Sequence, residues 1–223
     1  MNNKPIIVDE LLRRDHSHLN EDDLCYFLMV YTSGVGFSHS AENSLMSNFK
    51  KSLDKKGTPQ WQYKTKAISE IGLIIQNILP KIADFSSTTI VPIPPSKSTD
   101  HPLYDDRLNQ VLDIASIDKL VDIRNLLLNV NNVIATHTIT DKPRPTVNEI
   151  KINLRIDETL SSNIKPLVLL FDDVLTSGAH YIAAKQLIKE RFPETYVYGF
   201  FIARRELPLI NECDDNIFPN FEF

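Results

Sequence analysis

The sequence predicts an α/β fold: a doubly wound, mostly parallel sheet with a helical amino-terminal hood. Three observations carry this. Leu167–Phe171 is an unbroken apolar run with the length of a strand buried on both faces. It leads through a turn of small residues into a helical pattern that sets Tyr181, Ala184, Leu187 and Ile188 on one face. Thr88–Ile93 and Tyr196–Ala203 repeat the strand signal before and after it, and Leu108, Val111, Leu112 and Ala115 form a helical face after the first. Strand, helix, strand, helix, strand is the order of a sheet with helices on both faces.

The elements follow in order. Met1–Arg14 is mixed and charged, with no secretory signal pattern. Asp23–Tyr31 is an apolar stretch read as helical, and Thr32–Ser40, with Gly34 and Gly36, as a loop. Ala41–Lys50 is a short helix, and Lys51–Thr58 is polar and exposed. Tyr63–Leu79 is an amphipathic helix with Ala67, Ile71, Ile74, Ile75 and Ile78 on its stripe, stopped by Pro80. Val121–Ala135 has strand-like residues around Asn129, Asn131 and Asn132. His137–Asn148 is a long loop, and Ile150–Ile156 a short strand or turn. Ala179–Arg191 is the helix after the central strand. Three regions result: a helical amino-terminal or hood region at 1–84, a core at 85–206, and a tail at 207–223 whose phenylalanines predict docking.

Bulk properties bound the function. At 223 residues, 42% of them hydrophobic, the chain makes one domain with a real core. A net charge of −5 gives no strong nucleic-acid signal. Lys50, Lys51, Lys55, Lys56, Lys64 and Lys66 cluster locally and read as a solvated helix and loop. Two cysteines, Cys25 and Cys213, fit a reducing cytoplasmic setting and make no disulfide framework. No apolar stretch reaches the ~20 residues of a membrane helix.

The chemistry concentrates at Asp172-Asp173 and Thr176-Ser177-Gly178-Ala179-His180. This turn falls at the carboxyl end of a strand and the amino end of a helix, where open α/β sheets bind ligands. Its successive amides, with the helix terminus behind them, suit a phosphate. The two carboxylates would repel that phosphate directly. They suit hydroxyls a few ångströms away, or a divalent cation. Phosphate at one end and hydroxyl acceptors at the other describe a ribose phosphate. No Lys follows Gly178 directly, so the lysine-bearing phosphate loop does not fit.

On these residues the stretch resembles the phosphoribosyl-pyrophosphate motif of type I phosphoribosyltransferases, with Ser177 and His180 standing where Thr is usual. Thr88-Thr89-Ile90-Val91-Pro92-Ile93-Pro94-Pro95-Ser96-Lys97-Ser98 resembles the proline strand and pyrophosphate loop of the ComF-like branch. Asn109-Gln110 resembles the end of that branch's Arg-Gly-Phe-Asn-Gln segment, with Asp106 in the place of its Arg and Arg107 one position later. Ala203-Arg204 ends the last strand similarly. The branch's cysteine-rich amino terminus is absent.

The resemblance implies transfer of ribosyl phosphate from phosphoribosyl pyrophosphate to a nucleobase-like nitrogen acceptor, with release of pyrophosphate. Asp172 and Asp173 would hold the ribose and meet Mg²⁺ indirectly, through substrate or water. Thr176, Ser177, Gly178, Ala179 and His180 would hold the 5′-phosphate, and Ser96 and Lys97 would approach the pyrophosphate. Arg144, between Pro143 and Pro145, would reach it from a covering loop, and Thr32–Lys66 would form the hood over the acceptor. A homodimer is compatible with this reading. The alternative is a non-catalytic module on the same fold, sensing nucleotides or serving DNA uptake or defence. His39, His137 and His180 are the candidate bases, each weighed against an ordinary loop histidine.

Overall fold

The computed structural model describes residues 4–117, 120–130 and 145–208. Six strands form one sheet: β1 (Ile6–Ile7), β2 (Cys25–Thr32), β3 (Thr88–Pro92), β4 (Asp122–Ile123), β7 (Leu167–Leu175) and β8 (Tyr196–Glu206), in the order β1-β2-β8-β7-β3-β4. Only β1 runs antiparallel to its neighbour. β5 (Leu127–Asn129) and β6 (Leu154–Ile156) make a small antiparallel ladder beside it.

Helices cover both faces, so each central strand is apolar on both sides. Along β7, Leu169 and Phe171 face α2 (Ala41–Phe49), α3 (Trp61–Ile82) and α4 (Arg107–Ala115), while Val168 and Leu170 face α5 (Val147–Ile152) and α6 (Ala179–Arg191). This is why Leu167–Phe171 shows no polar alternation. α4 leads from β3 outward to β4, and α6 leads from β7 the opposite way to β8. The direction of travel therefore reverses between β3 and β7. The crevice at such a reversal, beyond the carboxyl ends of the strands, is where parallel sheets hold ligands.

Several sequence expectations are corrected. Asp23–Tyr31 is not helical: Cys25–Thr32 is β2, paired in parallel with β8. The region 1–84 therefore contributes strands to the sheet as well as helices. Pro80 does not stop α3, which continues to Ile82; a proline in the last turn forgoes a single ladder bond. The central strand does not end at Phe171. β7 runs through both acids to Leu175, with Asp172 beside Phe201 of β8 and Val174 beside Ala203. α6 occupies Ala179–Arg191, as its pattern predicts. His137, Arg144 and the tail from residue 209 onward lie outside the described residues. Among the described residues, no helix is long and apolar enough to cross a membrane.

Candidate functional site

A cavity of about 350 Å³ opens at the reversal between β3 and β7. Asp172 and Asp173 form one wall, Pro94, Pro95 and Lys97 another, and Arg107 and Asn109 at the start of α4 a third. Leu127 to Asn129 of β5 close the remaining side. The acid pair and the proline loop, some 75 positions apart in the chain, therefore meet as expected. Lys97 lines the cavity, whereas Ser96 beside it is exposed and turned away from it. Ser98 takes the lining position instead.

The two acids play different parts. Successive strand residues face opposite ways, and Asp173 is buried toward the α2–α4 side. Its carboxylate accepts from the Arg107 guanidinium, and Lys50 Nζ lies 3.5 Å from Oδ2. Arg107 donates also to Asp105 at 2.6 Å, and its guanidinium stacks over Phe49. Asp105 in turn accepts from Lys64 at 2.8 Å. Lys64 is 1% exposed and completes its donors on the Phe49 and Lys51 carbonyls. Burial alone would raise Asp173's pKa, but Lys50 and Arg107 outweigh it and hold the group ionised well below the usual carboxylate range. Lys64 is shifted down, because burial outweighs the attraction of Asp105.

Asp172 has no cation beside it among the described residues. One of its oxygens accepts the Asp173 N–H at 2.7 Å. Burial, then the negative charge of Asp173, raise its pKa. A half-buried carboxyl that makes no ion pair among the described residues, at the edge of a cavity, suits a hydroxyl or a ligand-borne cation.

Beyond Leu175, the Thr176–Gly178 turn enters α6 with Gly178 left-handed at φ 87°, a conformation that favours glycine. The N–H groups of Ser177, Gly178, Ala179 and His180 donate to no described residue. They are the open donors of a helix start and suit an anion. The turn does not line the cavity itself; it continues from the acid pair along the same chain end. His180 stands exposed in the first turn of α6. The protein around its ring lowers its pKa, Asp173 pulls it up and Lys50 pushes it down.

Sequence reasoning missed three features. Gly178, assigned to the phosphate-holding turn, is also packed against protein: a Cβ there would meet Leu19 Cδ2 at 2.9 Å, because the segment around His16–Leu19 lies against the turn. Lys64, read as solvated, is buried in an ion pair with Asp105, whereas Lys50 is exposed and reaches Asp173 from the surface. Thr32–Ser40, read as part of a hood over the site, lies at the β2 end of the sheet. There His39 lines a separate hollow of about 330 Å³ with Thr32, Glu42 and Glu206. Of the 32–66 region, Lys50 reaches Asp173, while Phe49 packs against Arg107 and Lys64 pairs with Asp105. Within the described residues, no group of three His, Cys, Asp or Glu side chains could hold a metal ion. Asp172 supplies a single carboxylate of the hard-oxygen type that a divalent ion takes.

The chain matches no protein-family model. No curated protein is similar enough to it to count as a match.

Proposed function

We propose that this chain binds a ribose phosphate of the phosphoribosyl-pyrophosphate type with Mg²⁺, and transfers its ribosyl phosphate to a nitrogen acceptor with release of pyrophosphate. One observation carries the reading: an acid pair leads directly into a left-handed glycine turn whose amides are open. That pair borders a cavity which the Pro94–Lys97 loop also lines. In this reading the turn from Thr176 to His180 takes the 5′-phosphate, and Asp172 accepts from ribose hydroxyls. Lys97 and Ser98 face the diphosphate. Mg²⁺ supplies charge neutralisation on the leaving diphosphate when it is bound. The residues hold the sugar and place charge where it develops; none needs to act as a nucleophile.

A second reading is favoured by a specific observation. Asp173 is already neutralised by Arg107 and Lys50, so a single carboxylate remains for the sugar. A binding module that senses the same ligand would need no more. Calorimetric titration of phosphoribosyl pyrophosphate, with and without Mg²⁺, followed by a pyrophosphate-release screen over nucleobases, separates the two. The transferase reading expects Mg²⁺-dependent binding and release with at least one base. Tight binding with no release from any base supports the sensor, and no binding at all overturns both.

A further inference from the structure

The turn at Thr176–Gly178 is held from behind. Asp15 to Asp23 runs across it as a strap, fixed at both ends by ion pairs. Arg204 of β8 donates to Asp15 at 2.7 Å, and Lys185 of α6 to Asp23 at 2.6 Å. Between these anchors, the His16 ring bonds through Nδ1 to the Thr176 carbonyl, and the His18 N–H donates to the Ser177 carbonyl at 2.9 Å. A carbonyl can only accept, so the proton of His16 is assigned to Nδ1. Its Nε2 is buried without a partner among the described residues, and the residue is wholly inaccessible.

A trans peptide unit is planar, with its C=O and N–H pointing opposite ways. The Thr176 carbonyl shares its plane with the Ser177 N–H, and the Ser177 carbonyl shares its plane with the Gly178 N–H. Fixing both carbonyls on the strap therefore fixes both amides pointing away from it. These are two of the amides that donate to no described residue. We infer that His16 is a positioning residue for the anion-binding turn: by holding the Thr176 carbonyl it sets the direction of the Ser177 amide, as the His18 amide does for Gly178. His16 touches no ligand itself. A buried imidazole with one nitrogen unpartnered costs stability, which a merely structural position would avoid with an apolar side chain.

The inference rests on the reading of this turn as a phosphate site, and the test separates the two. In His16→Asn, the side-chain amide nitrogen stands near the place of Nδ1 and can still donate to the Thr176 carbonyl. In His16→Gln, the donor is carried one bond further and leaves that place. Both variants are polar and similar in size, so comparing them isolates the one bond, and thermal melts confirm that both fold. Affinity is measured by calorimetry with ribose 5-phosphate. The expected result is His16→Asn within about twofold of the wild type and His16→Gln weaker by about tenfold, the scale of one lost hydrogen bond. Equal affinity for all three chains overturns the inference and leaves the phosphate site standing. A wild-type chain that binds no ribose 5-phosphate overturns the site and the inference together.

Discussion

Asp172 and Asp173 are chemically identical and adjacent, yet their surroundings divide them. Asp173 is ionised because two cations face it; Asp172 is held toward its neutral form by burial and by its neighbour's charge. Asp172's folded pKa, about 7, lies above its unfolded value, so the folded chain holds the extra proton between about pH 4 and 7. The resulting stability is present in acid and is lost as pH rises through 7. Asp172→Asn removes the titration and keeps an oxygen to accept the Asp173 N–H. In urea unfolding, the variant should gain on the wild type by about 1 kcal/mol or more between pH 5 and pH 8. Parallel stability profiles would show that Asp172 titrates normally. Asp173→Asn is the poorer probe of function, because it also strands Arg107 and Lys50. The acid pair and the glycine turn were legible in the sequence as a local pattern of residue types. The roles of the two acids were not, because they depend on Lys50 and Arg107, far away in the chain.

At the level of elements, legibility followed punctuation. α6 was readable to the residue because Gly178 marks its start and Tyr181, Ala184, Leu187 and Ile188 recur at helical spacing. β2 was misread because Cys25–Thr32 is an apolar run of eight residues, for which a buried strand and a buried helix segment share one pattern. The close approach of α3 and α4 left only one trace, a glycine inside a helix. A Cβ on Gly72 would lie 2.7 Å from Ile114 Cβ, so α4, which carries Arg107, sits where it does because position 72 has no side chain. Gly72→Val should destabilise the fold by about 2 kcal/mol through overpacking, and Ile114→Gly in the same chain, which removes the clashing Cβ, should restore part of the loss. Additive effects in that double-mutant cycle would mean that the two positions do not share the space.

For the whole molecule, the six-stranded sheet is covered by core residues on both faces. Cys25 opens β2, next to the edge strand, and is wholly inaccessible, its thiol pushed up to about 12 by burial and by the nearby Asp23 charge. Alkylation needs an exposed thiolate. In a Cys213→Ser background, iodoacetamide should therefore label Cys25 only through opening of the sheet. The labelling rate should rise with urea along the unfolding curve and fall when ribose 5-phosphate is added. Prompt labelling of the native chain would place Cys25 in a local opening instead.

The strap joins the two ends of the described chain. Asp15 is anchored by Arg204, 189 positions later, and the turn that the strap supports lies 160 positions beyond His16. During synthesis, the amino-terminal segment is made first, and Asp15 has no anchor until Arg204 of β8 has emerged. A ribosome-bound chain ending before Arg204 carries the whole acid-and-glycine motif and still lacks the anchor that holds its strap. The strap is therefore complete only once β8 has been made. A truncation that removes Arg204 would loosen the support of the turn while leaving the turn's own residues intact.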